Sequence, residues 1–146
     1  MIKNMRHAGL VVRDLDISLV FYQELLGLSV FKRMKEKGHY IERVVGITGA
    51  SLEWVKLQAA DGSLLELIQY NSTTDTPQKV KNAPSDQLGC SHVAFTVKNL
   101  DLLHKTLVDK GYNCNSEPQM SPDGMVKVMY CHDPDGIILE LVEELQ

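Results

Sequence analysis

Apolar and polar residues alternate with period two along several short stretches of this chain, and with a helical period along two longer ones. Met5 to Val12 places His7, Gly9 and Val11 on one face and Ala8, Leu10 and Val12 on the other, the pattern of a half-buried strand. Leu15, Leu19, Tyr22 and Leu25 or Leu26 then recur at helical spacing. Asp14 or Asp16 can cap that helix, and Gly27 can end it, because glycine enters the left-handed conformation without steric cost. Leu28 to Met34 predicts a strand. Lys35 to Gly49 is polar and glycine-punctuated, which predicts a loop with a helical turn at Ile41 to Val45. Leu52 to Gln58 and Ser63 to Gln69 predict a hairpin joined across Ala59-Ala60-Asp61-Gly62.

Asn71 to Gly89 loses this periodicity and holds Pro77 and Pro84, so it reads as a linker. After it the order starts again. Ser91 to Val97 predicts a strand with His92, Ala94 and Thr96 on one face and Val93, Phe95 and Val97 on the other. Asn99 stands where a cap would open a helix to Lys110, with Leu100, Leu103 and Leu107 as its stripe and Gly111 as its stop. A weak strand near Asn113 to Pro118, a strand at Val126 to Cys131, and a final strand over Asp135 to Glu144 complete the chain.

The two halves share a phrase. Asp61-Gly62-Ser63-Leu64-Leu65-Glu66-Leu67-Ile68 matches Asp135-Gly136-Ile137-Ile138-Leu139-Glu140-Leu141-Val142 at a displacement of 74 positions. A displacement of 85 lays Leu10-Val11-Val12-Arg13-Asp14-Leu15 on Phe95-Thr96-Val97-Lys98-Asn99-Leu100, and His7 on His92. Self-similarity on this scale is a fold-level signal. It predicts an α+β protein of two strand–helix–three-strand (βαβββ) modules, residues 1–70 and 90–146, joined by the linker 71–89. The inner faces of the two sheets would form a half-barrel cleft within one domain of 146 residues.

Each glutamate sits in the middle of an apolar strand, where a carboxylate loses several kcal/mol of hydration unless something compensates it. Each histidine faces away from the helix-covered side, beside a small neighbour, Gly9 or Ala94. Two imidazoles and two carboxylates carry a net charge that a divalent cation neutralises. His7, Glu66, His92 and Glu140 are therefore the candidate metal ligands, and the mixed N/O set suits zinc, nickel, cobalt, manganese or iron. His39, His104 and His132 read as surface residues.

Composition narrows the function further. A net charge of −4 and a pI near 5.7 argue against a nucleic-acid partner, which would require a basic stripe. No apolar run approaches the length of a membrane span, and the strand pattern begins too early to leave room for a signal peptide. Cys90, Cys114 and Cys131 form no Cys-x-x-Cys and read as reduced thiols of a cytoplasmic protein.

The duplicated module with its four ligands resembles the vicinal oxygen chelate superfamily, which groups glyoxalases, bleomycin resistance proteins and dioxygenases. The resemblance extends to Phe21-Tyr22-Gln23-Glu24-Leu25-Leu26-Gly27-Leu28 and to the close at Asp133-Pro134-Asp135-Gly136. It covers essentially the whole chain and is closest to glyoxalase I-like members. That resemblance implies one divalent metal per site, held by His, Glu, His and Glu, with two positions open to vicinal oxygens of a small substrate. It implies a lactoylglutathione lyase-like lyase or isomerase working through a metal-stabilised enediolate, with Glu140 as the base and Glu66 as ligand and second base. It also implies a homodimer. Where glyoxalase I carries an arginine and an asparagine for glutathione, this chain has Val11 and Tyr70, which implies a different substrate. The rival readings within the superfamily are an extradiol-type or other dioxygenase and a small-molecule-binding resistance protein.

Overall fold

A computed structural model of the chain describes residues 1–71, 84–89 and 92–145. The chain divides into two compact units, Met1–Pro77 and Gln78–Gln146. The predicted linker lies largely outside the described residues. No helix among the described residues is long and apolar enough to cross a membrane.

The first unit is a four-stranded mixed sheet in the order β1-β4-β3-β2. Strand β1 (Ala8–Val11) runs parallel to β4 (Leu64–Tyr70), β3 (Ser51–Gln58) pairs antiparallel with β4, and β2 (Ser29–Lys37) forms the far edge. Leu10, Val12, Val55, Leu57, Leu65 and Leu67 are buried on one face, as the alternation predicts. Helix α1 (Leu15–Leu19) is capped by Asp14, whose carboxylate accepts from the Asp16 and Ile17 amides.

Two expectations for this unit are corrected. Helix α1 widens into π-helical turns over Val20–Leu25, with the Leu26 amide reaching back five residues to the Phe21 carbonyl. The wider turn rotates the buried stripe, so Leu15, Ser18, Phe21 and Tyr22 are buried while Leu19, Leu25 and Leu26 are only half-buried. The predicted loop over Lys35–Gly49 is also more ordered than its polarity suggests. Strand β2 continues to Lys37, and helix α2 (His39–Val45) follows, ending at Gly46 with φ +72°. An edge strand needs no apolar alternation when its outer side meets water, which is why β2 hid in a polar sequence.

The second unit repeats the layout in the order β5-β8-β7-β6. Strand β5 (His92–Thr96) runs parallel to β8 (Ile138–Glu144), which pairs antiparallel with β7 (Val126–His132); β6 is the short Gln119–Met120. The weak strand expected near Asn113 to Pro118 is not formed. Only Cys114 makes a single bridge there, to Cys131, and β6 begins after Pro118. Helix α3 (Leu100–Asp109) buries Leu100 and Leu107 completely.

Asn99 does not cap α3 through its side chain, contrary to expectation. Its own backbone is left-handed, φ +55°, and the Glu143 carboxylate on β8 accepts from the Asn99 amide at 2.7 Å and the Leu100 amide at 3.2 Å. The first unit uses the equivalent position. Gln69 on β4 accepts from the Leu15 amide at 2.8 Å. In both modules the glutamate strand thus fastens the helix that follows the histidine strand, so the duplication extends to a polar clasp.

Candidate functional site

In the first unit, the β1–β4 register sets Gly9 opposite Glu66, and the β3–β4 register sets Lys56 opposite Glu66 on the other side. His7 precedes Gly9 by two residues and so projects on the same face. Its Nε2 lies 3.8 Å from Glu66 Oε1, and Lys56 Nζ lies 3.7 Å from Glu66 Oε2. The Glu66 side chain is 14% exposed. Two cationic or cation-accepting neighbours offset the hydration it loses.

In the second unit the same registers set Ala94 and Tyr130 on either side of Glu140. His92 Nε2 lies 3.1 Å from Glu140 Oε2, and the His92 ring stands 5.2 Å from the Tyr130 ring, tilted by 45°. Glu140 is 24% exposed. Neither glutamate is fully buried, which corrects the expectation of carboxylates enclosed by apolar strands. The strand alternation turns both toward the open face of the sheet, while Leu139 and Leu141 take the buried one.

The two pairs therefore differ in one neighbour. Glu66 faces a lysine across the ladder, and Glu140 faces a tyrosine. Sequence reasoning missed Lys56. Pairing the hairpin outward from its Ala59–Gly62 turn would have found it, since Gln58 opposes Leu64 and the next same-face pair inward along the strands is Lys56 and Glu66.

The structure brings the four candidate ligands together as two pairs, one in each unit. Among the described residues no group of three or more His, Cys, Asp or Glu could hold a metal ion. The pairs themselves suit one. Two donor atoms about 2.1 Å from a common cation stand about 3.0 Å apart at a right angle and about 3.4 Å apart in a tetrahedron. The His92–Glu140 separation, 3.1 Å, falls between those values, and the His7–Glu66 separation, 3.8 Å, is wider than both. His7 Nδ1 is buried without a hydrogen-bond partner among the described residues, which leaves Nε2, the nitrogen facing Glu66, as the one able to take a ligand.

The remaining histidines divide. His39 opens helix α2 and is exposed, and His104 is half-buried on α3. His132 is buried at 4% exposure, with Nδ1 3.2 Å from the Asn113 amide nitrogen, so the surface reading fails for it. Its position at the end of β7, opposite buried Ile138, explains why. Cys131 is fully buried, and burial pushes its thiol up to about 12, with Cys114 and Asp133 adding to the shift.

Two mixed sheets, each carrying a His–Glu pair at the same place of a repeated module, define a class of protein. A family model described as the Glyoxalase/Bleomycin resistance protein/Dioxygenase superfamily matches residues 4–141. The chain belongs to that superfamily. The lactoylglutathione lyase of Schizosaccharomyces pombe is 27% identical over 146 residues, covering 96% of this chain and 47% of that enzyme. The chain thus spans about half the length of that relative. The lactoylglutathione lyase of Pseudomonas aeruginosa is 26% identical over 144 residues, covering 94% of this chain and 80% of that enzyme. Among solved structures, a glyoxalase family protein from Bacillus cereus superposes with a TM-score of 0.89 at 28% identity, covering 100% of this chain and 97% of that one.

Proposed function

We propose that this chain is a divalent-metal-dependent lyase or isomerase that moves a proton between neighbouring carbons of a small substrate with vicinal oxygens. The observation that carries the reading is the repeated pair: His7 with Glu66 and His92 with Glu140, each Nε2 turned to its carboxylate. His7 and His92 would hold the cation through Nε2, and Glu66 and Glu140 through carboxylate oxygens. The cation, one of zinc, nickel, cobalt, manganese or iron, would supply Lewis acidity that makes the C–H beside a carbonyl easier to ionise.

The difference between the glutamates supports a division of roles. Lys56 Nζ, 3.7 Å from Glu66 Oε2, holds that carboxylate in an ion pair, which suits Glu66 to the role of a ligand. Among the described residues, no lysine or arginine pairs with Glu140. Glu140 is therefore the base that takes the proton from one carbon and returns it to the next. The Val11 side, where a glutathione-binding arginine would stand by resemblance, is apolar and exposed. The substrate proposed is accordingly not the glutathione hemithioacetal. A cytoplasmic homodimer is the proposed working form, and a purely monomeric sedimentation profile would contradict the dimer.

Deuterium uptake tests the chemistry. A panel of α-hydroxycarbonyl compounds in D2O should include one whose α-proton exchanges in the presence of metal without oxygen. Glu140→Gln should slow that exchange by about 10²–10⁴, the range for loss of a general base, with metal content measured in the same sample. A product that needs oxygen and carries no deuterium would move the chain to the dioxygenase class.

A further inference from the structure

One row of the first sheet runs past Glu66 and Lys56 to a second lysine, Lys32, that the proposed chemistry does not use. Across the ladder, Gly9, Glu66, Lys56 and Lys32 stand side by side on β1, β4, β3 and β2. Lys32 and Lys56 are directly opposite each other, and like charges so placed destabilise a sheet. Lys56 has Glu66 at 3.7 Å as partial compensation; Lys32 is exposed at the edge. Trp54, in the adjoining row, receives both: Lys56 Nζ is 4.8 Å and Lys32 Nζ 5.9 Å from its ring centroid.

A bulge produces this opposition. Between Val30 and Lys32 the β2–β3 register shifts, so that Val30 opposes Leu57 and Lys32 opposes Lys56. In an unbroken ladder Phe31 would oppose Lys56, and Lys32 would turn to the other face of the sheet, since side chains alternate. The extra residue brings the second ammonium round to the side that carries Lys56, Glu66 and His7. Bulges that re-aim a side chain are features of sites rather than defects. Gly9, at the other end of the row, stands opposite Glu66 in the ladder, and the space beside it is open: a Cβ there would meet nothing nearer than Ile68 Cδ1 at 4.0 Å.

We propose that Lys32 and Lys56, set around Trp54, form an oxyanion subsite that binds a carboxylate or phosphate group of the substrate beside Glu66. An oxyanion lying between the two ammonium groups removes their repulsion and gains two charge-assisted hydrogen bonds, while the indole holds both side chains in place by cation–π attraction. The substrate is then an anionic hydroxycarbonyl compound rather than a neutral one. This inference rests on the reading of the His7–Glu66 face as the substrate's side.

Trp54 is the only tryptophan of the chain, so its emission reports on the subsite directly. The test uses the full chain dialysed against EDTA and titrated separately with inorganic phosphate and with acetate, against sodium chloride at matched ionic strength. A saturable change with at least one of the two anions, absent with chloride, is expected; phosphate alone or acetate alone identifies the group. Lys32→Gln and Lys56→Gln should each weaken binding at least tenfold, and the double variant should show no saturable response. A circular dichroism melt of each variant confirms that it is folded; Lys32→Gln should not lower the melting temperature, because it removes one of two opposed charges, whereas Lys56→Gln also removes the ion-pair partner of Glu66. A response equal to that of chloride, or one that survives in the folded double variant, overturns the proposal. Metal-free protein keeps this outcome apart from the lyase reading. A wild-type anion response from a chain that binds no metal would sink the lyase reading and leave the subsite standing.

Discussion

Glu143→Ala is the perturbation that the structure prices most directly. The Glu143 carboxylate receives the Asn99 and Leu100 amides at 2.7 and 3.2 Å, two of the donors that open α3 and have no partner within the helix. Hydrogen bonds to a charged group contribute about 1.5–3 kcal/mol when buried. Loss of an ordinary helix cap costs about 0.5–2 kcal/mol. The Asn99 amide is exposed and water can replace part of its bond, so a loss of about 1–2 kcal/mol is expected, within the range for caps. Glu143→Gln keeps one acceptor oxygen and should lose roughly half as much, because it surrenders the charge facing the helix N-terminus. Urea titration followed by far-UV circular dichroism measures both, with the midpoint shifting at an unchanged slope. Slower amide exchange in α3 than in the loops, lost in Glu143→Ala, would confirm that the effect is local. If Glu143→Ala costs less than about 0.3 kcal/mol, or if Gln and Ala are indistinguishable, the clasp does not hold α3 as described.

Two further outcomes follow from single buried groups. Ser18 is fully buried in α1, and its hydroxyl has no hydrogen-bond partner among the described residues; Ser18→Ala removes that deficit and adds helix propensity, so the urea midpoint should rise by the equivalent of about 1 kcal/mol, and a fall would show that the hydroxyl is satisfied. With the Cys131 thiol pushed up to about 12, only about one molecule in 10⁴ is thiolate at pH 8; iodoacetamide should therefore leave Cys131 unmodified in the native chain and label it after urea unfolding, and native labelling by mass spectrometry would contradict its burial.

Much of this architecture was legible in the sequence because it was written twice. The repeated Asp-Gly…Leu-Glu-Leu phrase located β4 and β8, and the His7/His92 correspondence located β1 and β5. Strand alternation separated Leu10 and Val12 from the face of His7 and Gly9. What stayed hidden has physical reasons. The π-helical turns of α1 follow from hydrogen bonds that skip one residue, and a sequence periodicity of 3.6 cannot show that. Edge strand β2 lacks the alternation of a half-buried strand. The caps of α1 and α3 come partly from Gln69 and Glu143, more than forty positions away, whereas capping rules look only to neighbours. Lys56 and Lys32 became visible as a pair only when the ladder registers and the bulge were known. The predicted strand stopped at Cys131, one residue short of His132, yet β7 runs on to His132 and carries it into the interior.

The most direct test of the central claim is metal stoichiometry in the wild-type chain and in His7→Ala and His92→Ala, measured by elemental analysis after loading with an excess of a divalent cation and dialysis to remove what is unbound. His7 and His92 are both among the four proposed ligands of the ion. One ion per chain in the wild type, and its loss in each single variant with the fold retained, is the expected result. Equal metal content in all three proteins, or two ions per chain of which each variant loses only one, would contradict the proposed set of four ligands.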